Sequence, residues 1–449
     1  MADYLNELAR FAAETTFEDL SEEALSAARN VTLDTFGAIS AGMEEPENLK
    51  LASWAADNML PASAGILATP HRASPMAAAL VNATAGVALE MDEGNRFGGG
   101  HPSIHVLPGL LAESERAGAS GSEFITALVV GYEITSRLGG ATSAHPNVHS
   151  HGHWGAPGTA AAIAKLRGWL TQDIRGAINV AASMSPANTW TNAFEGATVR
   201  NLYPGRSSMQ GVLAVDLYQC GFTTLDDAPS DVYGSILGES FDPDEAVSGL
   251  GGEYRIQQNY FKLHACCRYN HATLDAVVDA VAGATIAPDD VESVTVGVPW
   301  MLDGMLGGYP QNMLAAKFNI PYAVAAALAT GRTDISVFRP QTVADPSIRS
   351  LFDRVTVRVG DVQRQQAITG PGACVEIRTR GGGRLTAAVE SIRGDYGSPI
   401  PHSDIVDKFS FLAEPVLGTS RTEDAVQRID SLETVENMGS VVELFQVPR

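Results

Sequence analysis

The densest run of reactive side chains is Asn259-Tyr260-Phe261-Lys262-Leu263-His264-Ala265-Cys266-Cys267-Arg268-Tyr269-Asn270-His271, where an aromatic lead-in meets a lysine, two adjacent cysteines, an arginine and two histidines. Lys262 is a fixed cation, or a base if burial lowers its pKa. Cys267, close to Lys262 and Arg268, is a thiol with reason to ionise and act as acid or base; its other reading is a small buried apolar residue. Ala272 to Val281 keeps helical spacing. The run is therefore expected on a turn that opens a helix, where unpaired N–H groups and the dipole favour an anion such as a carboxylate. His271 is expected one turn into that helix, facing the same way as Cys267.

Three further patches carry chemistry. Six of the ten histidines lie between His101 and His153. His101 follows Gly98-Gly99-Gly100, which lets backbone approach a ligand, and precedes Pro102, which stiffens the turn. An imidazole there can take or return a proton near neutrality. Upstream, Glu90-Met91-Asp92-Glu93 offers acids that orient that histidine or hold a substrate hydroxyl, unless they are a solvated helix end. The run His149-Ser150-His151-Gly152-His153 could hold zinc, but alternating spacing on a loop is neither an H-E-x-x-H helix nor a cysteine-histidine knuckle. Singly, His105, His145, His151 and His153 read as turn caps or partners of buried carbonyls. Arg200-Asn201-Leu202-Tyr203-Pro204-Gly205-Arg206 adds two guanidinium groups, Arg206 being the weaker candidate.

Together these four stretches resemble the MmgE/PrpD family of dehydratases, decarboxylases and epimerases acting on 2-methylcitrate, cis-aconitate and iminodisuccinate. The resemblance runs through Ala316-Lys317-Phe318-Asn319-Ile320-Pro321-Tyr322 to the last helices. It implies removal of a proton beside a carboxylate, or loss of a carboxylate, through an enolate-like carbanion with no cofactor and no metal. It singles out His101 and His149, matches Lys262 to the family lysine, and often has an acid at the Glu90 position. Arg200 stands where several relatives carry lysine; its permanently protonated fork is a poor proton shuttle and a good carboxylate grip, which assigns it to substrate binding. Cys267 stands where many relatives have cysteine and some decarboxylase-like ones histidine.

On this reading His101, Asp92 and a partner from Lys262, His149 or Cys267 form the catalytic set, while Arg200, Arg268, His271 and Glu90 bind substrate. The expected activity is a lyase acting on a citrate-like di- or tricarboxylate. A two-base epimerase is the alternative, and a zinc hydrolase or a non-catalytic carboxylate binder are the readings of another class. The resemblance also implies a homodimer formed by a helical domain, with an α+β part as lid.

The elements that must position these groups are legible in the periodicity. Helical spacing runs from Tyr4 to about Gly42, with Ser21-Glu22-Glu23 as a helix start. Pro75 to Leu89 is small and apolar throughout, which predicts a buried central helix delivering Glu90 and Asp92 at its end. Helices are expected over 106–116, 122–138, 158–166, 171–182, 207–220, 403–417 and 422–431, with 320–330 and 340–344 read as helical or loop material. No strand-like alternation precedes about residue 285; period-two patterns then appear at 291–298, 355–359, 374–379 and 385–389. This predicts a mainly α protein: a large helical domain from 1–284 and 399–449, and a smaller α+β lid domain over 285–398.

Composition narrows the partners. A chain of 449 residues exceeds what one core usually serves. The formal net charge of −22 argues against nucleic acid and against an anionic membrane surface. A small anionic substrate stays compatible, because a pocket's field depends on its local arginines and lysines. Four cysteines, two of them adjacent, do not make a disulfide framework. The acidic N-terminus lacks an apolar signal core, and no run reaches the ~20 apolar residues that span a bilayer, so a cytoplasmic location is expected.

Overall fold

Short side chains decide how the helices meet. The computed structural model describes residues 3–284, 286–360 and 372–448. In chain order its longer helices include α1 (Glu22–Gly42), α2 (Pro75–Val87), α3 (Pro102–Ala117), α4 (Gly121–Gly140), α5 (Gly155–Leu166), α6 (Leu202–Gln219), α7 (His271–Val281), α8 (Ile320–Thr330) and α9 (His402–Leu417). Their starts follow capping chemistry: the Ser21 hydroxyl accepts from Ala24 N–H, Ser74 from Ala77 N–H ahead of Pro75, and Ser120 forms a capping box with Glu123.

Two compact units result, the first from Met1–Thr189, Asn201–Phe261 and Pro401–Arg449, the second from Trp190–Arg200 and Lys262–Ile400. The second unit thus begins at Lys262 rather than near 285, and it includes the excursion ending at Arg200; Thr285 itself lies outside the described residues. The reason is packing: α7, expected with the helical domain, lies on the sheet of the second unit.

In the first unit, α2 packs on α6, α4 on α5 and α9 on α1. A Cβ at Gly205 would lie 2.4 Å from the Leu80 carbonyl, and one at Gly158 would lie 2.6 Å from the Gly131 carbonyl. Glycine at these two positions is therefore what lets the backbones approach. Two short antiparallel pairings, Ala64–Gly65 with Arg72–Ala73 and Thr142–Ala144 with Gly238–Phe241, are strands that the sequence pattern did not announce. At two and three or four residues each, they are too short to show a period.

The second unit holds a four-stranded sheet of β1 (Val291–Val298), β2 (Val355–Val359), β3 (Ala373–Thr379) and β4 (Arg384–Val389) in the order β2-β1-β3-β4. β1 runs parallel to β2 and antiparallel to β3, and β3 antiparallel to β4. Ala373, Val375 and Ile377 are buried, while Cys374, Glu376 and Arg378 alternate with them on the other face. α7 covers β3 and β4, and α8 packs against α7. The mainly α architecture with a smaller α+β part is the one expected. Among the described residues no helix is long and apolar enough to cross a membrane.

Candidate functional site

The polar groups form a cluster in each unit. In the first, α2 ends at Val87 and the chain turns at Glu90, whose backbone is left-handed at φ 57°. The following residues, Asp92 and Glu93, are fully buried, which removes the reading of a solvated helix end. A loop then leads to His101, the residue that precedes α3.

His101 Nδ1 lies 2.7 Å from the Glu93 carbonyl and 2.9 Å from Asp92 Oδ2. Both are acceptors, so Nδ1 carries the hydrogen and the lone pair of the neutral ring sits on Nε2. This is the arrangement of a base whose cation is stabilised from behind by a carboxylate. The ring of Tyr260 meets that of His101 edge-on, with centroids 6.0 Å apart.

The other histidines pack around it. His151 stacks on His101 with centroids 4.3 Å apart and planes 15° apart, and its Nε2 lies 4.0 Å from Asp92 Oδ2. His105 donates from Nδ1 to the His101 carbonyl and accepts at Nε2 from Gly152 N–H, at 2.7 and 3.0 Å. Both ring nitrogens are thus used by a neutral ring, and burial, the largest cause, pulls its pKa down to about 3. His149 accepts at Nδ1 from His151 N–H at 3.0 Å, so its neutral form carries hydrogen on Nε2. Burial also holds His153 down at about 4. Arg206 donates to the Asn188 side chain, and Asn188 Nδ2 donates to the His151 carbonyl at 2.9 Å, tying the histidine run to α6.

Asp92, His101 and His151 each present a possible metal ligand, all within 4.8 Å of one another. The ring geometry opposes a shared ion. Imidazole lone pairs lie in the ring plane, and planes only 15° apart, stacked at 4.3 Å, do not meet at one point between the rings. The His101 Nδ1 lone pair is in addition replaced by a hydrogen that faces Glu93. The fold therefore gathers three stacked and hydrogen-bonded polar side chains here rather than a converging ligand set.

In the second unit Lys262, Lys317 and Arg200 are among the largest fully buried side chains. Arg200 lies over Phe318 at 5.1 Å. The Lys317 carbonyl accepts from Cys267 N–H and from Asn270 Nδ2, both at 3.0 Å, fixing the 267–270 turn beside it. Cys266 and Cys267 are buried thiols.

Two expectations change here. His271 opens α7 rather than lying one turn inside it, because Arg268–Asn270 forms a separate 3₁₀ turn. Its Nε2 points back to the Cys266 carbonyl at 3.2 Å, and burial, with the charges of His264, Arg268 and Lys262, holds it well below the usual histidine value. Arg268 pairs with the buried Asp395 at 2.6 Å, so its charge is shared with a protein carboxylate.

A pair that the sequence reading passed over is His264, held between Asp275 Oδ1 at 3.0 Å and Thr333 Oγ1 at 2.7 Å. Eleven positions separate His264 from its acid, so no local spacing announced it. His151 was read singly as a turn partner for the same reason: its stacking on His101 is a tertiary contact. A cavity of about 930 Å³ on the outer sheet face, lined by Thr295, Arg358, Glu376, Arg378 and Arg384, contains none of the residues named for chemistry. Glu376 accepts there from both Arg378 and Arg384.

Of the residues expected to carry chemistry, Glu90, Asp92, His101 and His149 fall in the first unit, and Arg200, Lys262, Cys267, Arg268 and His271 in the second. Comparison with known proteins matches residues 6–236 to the MmgE/PrpD N-terminal domain and 264–434 to the MmgE/PrpD C-terminal domain. Among curated proteins, the chain is 24% identical to the cis-aconitate decarboxylase-like protein oryM of Aspergillus oryzae, covering 98% of this chain and 96% of that one. It is 23% identical to a cis-aconitate decarboxylase of Aspergillus terreus, with 99% and 96% covered.

Proposed function

Because the chain belongs to the MmgE/PrpD family, we propose that it is a cofactor-independent lyase acting on a citrate-like di- or tricarboxylate, with His101 as its proton-transfer residue. The observation that carries this is the His101 ring, its Nδ1–H bound by the Glu93 carbonyl with the Asp92 carboxylate 2.9 Å from the same nitrogen, which leaves Nε2 as the nitrogen to exchange a proton. In dehydration, Nε2 removes the C–H proton beside a carboxylate and the β-hydroxyl leaves as water after protonation. In decarboxylation, the C–C bond to one carboxylate breaks, its electron pair forms a delocalised carbanion, and the imidazolium returns a proton to that carbon.

Either course develops negative charge, which buried cations stabilise. We assign carboxylate recognition to Arg200 and Lys262, with Arg268, His271 and Glu90 as further contacts. His149 and Cys267 are the candidates for the second proton-handling group. The full-length relatives named as cis-aconitate decarboxylases favour decarboxylation over dehydration.

The test is incubation with cis-aconitate, 2-methylcitrate and iminodisuccinate in deuterium oxide, followed by NMR. Release of carbon dioxide with one deuterium incorporated into the product, or of water with none incorporated, is expected. Deuterium exchange into substrate with neither product would replace the lyase by an epimerase.

A further inference from the structure

Helix α3 has an unusual start. The residue before it is His101, a position whose side chain ordinarily accepts an N–H of the first turn, yet the His101 ring makes no such bond. Pro102 has no N–H to offer, so Ser103 supplies the first donor, and it is Glu93 Oε1 that accepts it at 2.8 Å. The same residue's backbone carbonyl accepts from His101 Nδ1 at 2.7 Å. Glu93 therefore spans both sides of the imidazole, capping the helix that His101 begins and holding the ring nitrogen that must not act as base.

From this geometry we infer that Glu93 is a positioning residue for His101: by taking over the helix cap it releases the imidazole for chemistry, and by the same anchorage it fixes the ring in the Nδ1–H tautomer. The surroundings fit the role. Tyr132 donates to Glu93 Oε2 at 3.2 Å, and the Ser103 hydroxyl is held by Thr35 at 3.0 Å, so both ends of the clamp are braced. Burial, reinforced by Asp34 and Asp92, pushes the Glu93 carboxyl up to about 8. Near neutrality it is then an uncharged cap, and Asp92 faces the Nδ1–H without a second anion on the next residue.

The inference rests on the reading of His101 as the proton-transfer residue, and two readouts separate them. The first is the ring-nitrogen NMR of histidine-labelled protein, which reports the tautomer without any substrate. His101 should show Nδ1–H in the parent and in Glu93→Gln, whose amide oxygen still accepts from Ser103, and a mixture of tautomers in Glu93→Ala. The second is turnover: Glu93→Ala should lose at least tenfold in kcat with KM within about twofold, and Glu93→Gln should stay within threefold. If Glu93→Ala fails to fold, Glu93→Asp, whose shorter arm withdraws from Ser103, takes its place. An unchanged His101 tautomer in the Ala or Asp variant overturns the inference. A shifted tautomer in a protein that turns over no carboxylate upholds the clamp and removes the lyase reading instead.

Discussion

His101 and Arg200 answer different questions about the reaction, and their variants should separate accordingly. Replacing a positioned proton-transfer group typically costs 10²–10⁴-fold. His101→Asn, which keeps size and polarity, is therefore expected to lower kcat by about that factor with little change in KM, measured by product formation from cis-aconitate. Arg200 is buried over Phe318. Truncating one partner of a buried charge contact costs about 2 kcal/mol or more, roughly 30-fold. Arg200→Ala should raise KM by that order, and Arg200→Lys should recover only part, because an ammonium cannot reproduce the bidentate fork. If Arg200→Ala changes kcat alone, carboxylate recognition is the wrong role. The sequence already singled out His101 from its three glycines and following proline. It did not show that Glu93 would cap the helix or that His151 would stack on the ring.

At the scale of the elements, two devices hold the first cluster in place. Lys408 on α9 pairs with Asp34 of α1 at 2.5 Å and donates to the Met91 carbonyl at 2.7 Å, one residue before Asp92. Both side chains are buried. Breaking such a pair by removing one partner costs about 3–5 kcal/mol, since the other charge is left buried. Lys408→Met should show this in denaturant melts, and the double variant with Asp34→Asn should recover part of it. The second device is small-residue packing. At Gly158 a Cβ would fall 1.8 Å from Thr135 Oγ1 and 2.6 Å from the Gly131 carbonyl. Gly158→Ala should destabilise by about 1–3 kcal/mol, read as a lowered Tm. The helices themselves were legible from apolar spacing and capping serines. Which glycine faces which backbone was not, because helix-on-helix register is a tertiary choice.

For the whole molecule, buried titratable groups set how stability depends on pH. His105 and His153 fall to about 3 and about 4 in the fold from an ordinary 6.5, so below 6.5 the unfolded chain takes up protons that the folded one does not. Their contribution is complete above that value and is lost as pH falls. Glu93 behaves oppositely: raised to about 8 from 4.5, it keeps its proton in the fold while the unfolded chain releases it. Its contribution is complete below 4.5 and is lost as pH rises towards 8. Between 4.5 and 6.5 the two histidines outweigh the one acid, so these groups place the stability maximum near ~6.5, with the steeper fall on the acid side. Thermal unfolding across pH 4–9 checks this, and His105→Gln should flatten the acid limb. A Tm that rises steadily from pH 6.5 to 9 would contradict the burial of Glu93 as an acid.

Periodicity in the chain determined the mainly helical body, the four strands of the sheet and the short list of polar stretches, because burial of one face imposes a period of 3.6 or 2 whatever the neighbours are. Composition and charge argued against nucleic acid and an anionic membrane surface as partners and left a small anion compatible. Only the tertiary structure decided that α7 belongs with the sheet, that Arg268 is engaged by Asp395, and that His264 leans on Asp275. It also decided that the imidazole of His101 is held by a residue eight positions upstream. Ring orientation, tautomer and ion pairing depend on which atoms arrive within about 3 Å, and that distance is set by the packing of whole elements, which no local spacing records.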